Sequence, residues 1–79
     1  MLFEQSGRVE NEFGGFKWTF RIEKTSDGYH VTIDTDSKIG HNCVFNETYQ
    51  EISAEKISQD LCRQNLAEID EEIDWEEIG

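Results

Sequence analysis

Residues 16–23 constrain this chain more than any others. Phe16, Trp18, Phe20 and Ile22 alternate with Lys17, Thr19, Arg21 and Glu23, the two-residue period of a strand with one face buried and one in water. A strand needs partners, and the flanking sequence supplies them. Gly14-Gly15 precedes it and Asp27-Gly28 follows it, dipeptides that tolerate the positive φ angles of tight hairpin loops. Beyond the second turn, Tyr29, Val31 and Ile33 alternate with His30, Thr32 and Asp34. Before the first, Glu4, Arg8, Glu10 and Glu12 share one parity and Phe3, Val9 and Phe13 the other. The reading is an antiparallel meander with strands over about 3–12, 16–24 and 29–36.

The register follows from the loops. With Gly14-Gly15 as a two-residue loop, Phe13 faces Phe16, Val9 faces Phe20 and Glu12 faces Lys17. With Asp27-Gly28 as the second, Ile22 faces Ile33 and Arg21 faces Asp34. Apolar side chains then meet on one face and opposite charges on the other, each pair contributing a fraction of a kcal/mol. One conflict is left, Arg8 opposite Arg21. A slip of one residue would turn the aromatic set into water.

Lys38-Ile39-Gly40 reads as a turn. Asn42-Cys43-Val44-Phe45 is then either a short fourth strand over 42–46 or a packed loop, with the strand preferred. A helix follows. Ser53 suits an N-cap, and Glu55 lies in the first turn, where the helix dipole favours an acid. Ile52 and Ile57 hold the positions of a hydrophobic staple. Ile57, Leu61, Cys62, Leu66, Ile69 and Ile73 cover about half of the helical wheel, but the stripe drifts, and Glu68 and Glu72 fall near the angle of Ile57 and Leu61. A straight helix would aim acids at the sheet. The expected helix therefore covers about 54–69, and an acidic extension, 68–79, runs past the sheet or bends away, largely solvated. The expected fold class is α+β: a three- to four-stranded antiparallel meander covered on one face by a single C-terminal helix, in one domain.

The formal net charge is −11, and residues 68–78 hold seven acids and no base. Such a charge repels nucleic-acid phosphates and anionic membrane surfaces and favours basic partners. It also keeps a small protein soluble, which explains acidity without any partner. The first residues lack the basic and apolar stretches of a signal peptide. No apolar run nears the roughly 20 residues of a membrane helix. The reading is a soluble protein of the cytoplasm. Two cysteines, Cys43 and Cys62, are too few for a disulfide scaffold; a single bridge between them is the alternative to the preferred reading, two buried, reduced thiols.

Candidate chemistry is sparse. His41 and Cys43 share one side of the fourth strand, but Cys62 and His30 complete no metal-ligand spacing with them. Cys43 and His41 as nucleophile and base lack a third orienting group and an oxyanion hole. Asp34-Thr35-Asp36 begins like a calcium loop, yet Lys38, Ile39 and Phe45 stand where an oxygen ligand, glycine and glutamate are needed. The aromatic residues share the face that the helix must cover, which removes them from base stacking. No cofactor, metal or catalytic residue is assigned.

The acidic stretch remains. Asp60, Glu68, Asp70, Glu71, Asp74 and Glu77 are expected to form a row of carboxylates on the outward side of the helix, imitating phosphates, with Trp75 as an apolar anchor beside them. A solvated, frayed terminus is the competing reading. Cys62, Leu66, Ile69 and Ile73 also make a short coiled-coil-like seam, compatible with a monomer or a weak homodimer. The two hairpins, the helix from Ser53 and the acids from Glu68 to Glu77 resemble, in type, the small phage-encoded anti-defence inhibitors, in particular anti-CRISPR proteins. That resemblance implies a stoichiometric, non-enzymatic inhibitor in the host cytoplasm. It would occupy a basic nucleic-acid-binding surface of a CRISPR effector without touching nucleic acid itself. The alternative is an immunity, antitoxin or adaptor subunit that binds one basic protein.

Overall fold

The computed structural model describes residues 2–78. Four strands, β1 (Phe3–Asn11), β2 (Gly14–Thr25), β3 (Gly28–Ser37) and β4 (Gly40–Tyr49), form one antiparallel sheet in the order β1-β2-β3-β4. Three helical segments follow: α1 (Ala54–Arg63), α2 (Ala67–Glu72) and α3 (Trp75–Ile78). The α+β meander stands. Its fourth strand is fully formed and longer than the 42–46 expected. Twelve residues of β2 span roughly 40 Å, so the strands set the molecule's 38 Å long dimension.

The hairpins turn in a different place from the one the glycine dipeptides suggest. Val9 pairs with Phe16 instead of Phe20, and Ile22 pairs with Val31 instead of Ile33. The slips are four residues and two. Both are even, so every side chain keeps its face. Arg8 lies opposite Lys17 and pairs with Glu10 along its own strand, while Arg21 bridges Glu4 at 2.6 Å and Asp34 at 3.5 Å. Phe13 leaves the core for the loop and is 91% exposed.

One local motif explains all three turns. A polar residue ends each first strand, and its side-chain oxygen accepts the backbone N–H two residues on. Asn11 accepts from Phe13 at 2.8 Å, Thr25 from Asp27 at 3.3 Å, and Ser37 from Ile39 at 3.4 Å. The glycine stands fourth, with φ between +125° and +139°. It is the exit from the turn and not its centre. The first and third turns lie at the same end of the sheet, where Phe13 and Ile39 are both almost fully exposed.

The core occupies one face. Trp18, Phe20, Ile22, Val31, Ile33 and Phe45 of the sheet meet Ile57, Leu61, Ile69 and Ile73 of the helical layer, each at most 5% exposed. A bulge in β4 lies between the Ile33–Phe45 and Asp34–Cys43 pairs. It keeps Phe45 inward while putting Cys43 on the outer face. Both cysteines are free and exposed, contrary to the expected buried thiols.

The expected single helix is broken. Ser53 caps α1, its hydroxyl accepting the Lys56 N–H at 3.3 Å. At the other end Asn65 adopts φ +62°, the Asn65 N–H donates to the Cys62 carbonyl and the Leu66 N–H to the Leu61 carbonyl. This is a Schellman closure with asparagine in the left-handed position. The break resets the helical phase. Ile69 and Ile73, one turn apart, point into the core, and Glu68 and Glu72 are exposed. The segment expected to be solvated is thus bound to the sheet. Among the described residues, no helix is long and apolar enough to cross a membrane.

Candidate functional site

The acids named from the sequence fall into two groups. Asp60 is not part of an outward row. It is 9% exposed and lies where α1 meets the end of β4. The Tyr49 hydroxyl donates to it at 2.6 Å, the Lys56 ammonium at 3.3 Å, and the Arg63 guanidinium completes the set. These donors, Tyr49 first, hold the Asp60 carboxyl below the usual range against the opposing effect of lost water. The groove of about 540 Å³ beside them carries Glu47, Lys56, Asp60 and Arg63, two charges of each sign. Asp60 is a structural tie between helix and sheet.

Tyr49 carries the pH dependence of that tie. Burial, then the bond to Asp60, pushes its phenol above the ordinary value of 10.0. The folded protein therefore keeps this proton to higher pH than the unfolded chain does. Stability from the pair is complete below pH 10.0 and is lost as pH rises through the folded tyrosine's raised value. The Asp60 contribution runs the other way: present above its ordinary 3.8 and lost in acid, as pH falls through its lowered folded value. Tyr49→Phe is expected to cost about 1–2 kcal/mol at neutral pH. The measurement is the urea midpoint. Wild type and variant should converge as pH rises above about 10, and a constant gap would contradict the assignment.

The second group is a separate surface on α2 and α3. Glu68, Glu71, Glu72, Asp74, Glu76 and Glu77 are exposed. Among the described residues, none of them shares an ion pair with any lysine, arginine or histidine. Asp70 turns inward. It accepts the Cys62 thiol at 3.6 Å, and its other side-chain oxygen is buried without a partner among the described residues. Loss of water, then the Asp70 charge, pushes the Cys62 thiol up, keeping it protonated and unreactive. Trp75 is not a free anchor either. Its ring stands edge-on to Phe20 at 5.7 Å between centroids, and its indole N–H donates to the Asp70 carbonyl at 3.0 Å. It fastens the acidic segment to the core.

Sequence reading missed the residue that positions this surface. Gln5, on the inward parity of β1, uses both ends of its amide at the junction of α2 and α3. It donates to the Glu72 carbonyl at 2.8 Å and accepts the Asp74 N–H at 2.9 Å. A polar side chain among Phe3, Gly7 and Val9 was the available signal. Gln5→Ala leaves two backbone groups to solvent and is expected to cost about 1–2 kcal/mol. Amide exchange at Asp74 should accelerate about tenfold or more, while the α1 amides keep their protection. Unchanged exchange at Asp74 would show that the clamp is idle.

The outer face of the sheet joins the other candidates differently. The Cys43 thiol donates to the Phe45 carbonyl at 3.4 Å, and His41 Nε2 lies 3.9 Å from Asp34. His30 meets Asn46 at 2.5 Å. Among the described residues, no three or more His, Cys, Asp or Glu side chains form a metal-binding group. Comparison of the chain with protein-family models, with curated sequences and with solved structures returns no match.

Proposed function

We propose that this protein is a non-catalytic acidic binder that occupies a basic, nucleic-acid-binding surface of another protein. One observation carries the reading: six exposed carboxylates without cationic partners among the described residues, on segments that Gln5, Ile69, Ile73 and Trp75 hold to the sheet. Fixed carboxylates present negative charge without the conformational cost of ordering a loose tail. Their unpaired charge steers encounter with a basic groove and repels the nucleic acid that competes for it. The resemblance in type points to a CRISPR effector as the partner class. The working residues are Glu68, Glu71, Glu72, Asp74, Glu76 and Glu77; Asp70 and Trp75 support them, and Asp60 is excluded.

The test is displacement of labelled duplex DNA from a purified CRISPR effector complex, followed by fluorescence anisotropy. Displacement should saturate at one protein per effector and weaken between about 50 mM and about 300 mM salt. Saturable binding without displacement favours the immunity or adaptor reading. No binding to the effector, or binding indifferent to salt, contradicts nucleic-acid mimicry on this partner.

A further inference from the structure

At the end of the sheet away from Phe13 and Ile39, α3 leaves a groove of about 230 Å³. Its walls are Leu2, Phe3, Ile22, Tyr29, Ile52 and Ile78, and among the described residues the only charged group lining it is Glu77. Leu2 is 58% exposed there. The Glu77 carboxylate makes no hydrogen bond or ion pair among the described residues. Small-molecule pockets begin at roughly 300 Å³, so this volume suits one long side chain. The chemistry of the walls narrows which one. A wholly apolar occupant would cover Glu77 without giving it a partner, which costs free energy. An acidic occupant meets the charge of −11. An apolar stem ending in a cation satisfies both walls and carboxylate.

The protein already shows this affinity at the groove's edge. The Lys24 ammonium stands 4.3 Å from the centroid of the Tyr29 ring, a cation–π contact on one of the lining residues. We propose that the groove receives one lysine or arginine side chain of the basic partner: its stem lies on Leu2, Phe3, Ile52 and Ile78, and its charged head pairs with Glu77. This deepens the reading above and rests on it. The acidic surface of α2 and α3 attracts the partner by unspecific charge, and the groove fixes which basic residue registers against it.

The probe is a pentapeptide, Gly-Ser-Arg-Ser-Gly, titrated into isotopically labelled full-length protein and followed by NMR. Its saturable shifts should fall on the methyl signals of Leu2, Ile52 and Ile78. The same peptide with norleucine for arginine should bind at least about fivefold more weakly. Glu77→Gln should bring arginine down to the norleucine level, and Lys24→Met, which removes a competing cation, should tighten arginine binding. Equal binding of both peptides would make the groove an apolar site and overturn the proposal. So would arginine shifts confined to residues 68–76, an outcome that leaves the acidic-binder reading intact. Concentration-dependent shifts of the groove methyls without peptide would assign the groove to a second copy and equally overturn it. Groove binding combined with failure to displace DNA from the effector would instead defeat the functional reading and spare the groove.

Discussion

Gly7→Ala is expected to destabilise the protein by about 3 kcal/mol, the upper part of the range for overpacked cores. Gly7 lies opposite Trp18 across the β1–β2 pair. A Cβ there would stand 2.4 Å from Trp18 Cζ2 and 2.6 Å from Cε2, far inside van der Waals contact. The indole has little room to yield, because Trp18 is 1% exposed and is one of the largest side chains in the core. Relief must come from moving β1, whose Gln5 clamp holds the helical layer. In a domain of this size each kcal/mol moves Tm by about 4–8 °C, so a fall of about 12–24 °C is expected. A double-mutant cycle separates the clash from any intrinsic cost of losing glycine in a strand. Trp18→Phe removes the colliding ring atoms together with an indole N–H that is buried without a partner among the described residues. In that background the alanine at position 7 should cost less than about 1 kcal/mol. An equal cost in both backgrounds would place the effect elsewhere.

The same residues show how far the fold was legible. Alternation in β2 and β3 identified the buried face, since a period of two is a direct consequence of strand geometry. It does not report register to better than an even number of residues, and there the glycines misled. Asn11, Thr25 and Ser37 each stand three positions before a glycine. That thrice-repeated spacing was the readable sign of turns that exit through glycine. The drift of the helical stripe past Leu66 was real, but its resolution was local. Asn65 is one of the few residues that adopts the left-handed conformation at modest cost, and it ends α1 there. Once the phase is reset, the acids that conflicted with the core point outward. The burial of Trp75 and Asp60 was not legible, because each depends on a partner distant in sequence: Phe20 for one, Tyr49 for the other.

The division of the acids also changes which substitutions test the function. Reversing Asp70 would disturb the Cys62 and Trp75 contacts, and reversing Asp60 would break the tie to Tyr49. Loss of binding in either variant would say nothing about the surface. Glu68, Glu71, Glu72 and Glu76 are exposed, and their side chains have no hydrogen-bond or ion-pair partner among the described residues. Each Glu→Lys reversal adds two units of charge, so the four together bring the formal net charge from −11 to −3. Each is expected to remove an attraction of a few tenths of a kcal/mol to about 1 kcal/mol and replace it with a repulsion. Four together should weaken binding by about 4 kcal/mol or more, close to a thousandfold. The fold should persist, with Tm unchanged or slightly raised as self-repulsion falls.

The decisive measurement is the affinity of this four-lysine variant for the proposed basic partner, compared with that of wild type at equal salt. The near-ultraviolet signal of Trp18 and Trp75 would confirm an intact core in both proteins. A loss approaching about a thousandfold, with the salt dependence of binding removed, is the result predicted for a carboxylate surface that takes the place of nucleic acid. Affinity within about threefold of wild type, in a variant whose core is intact, would contradict it.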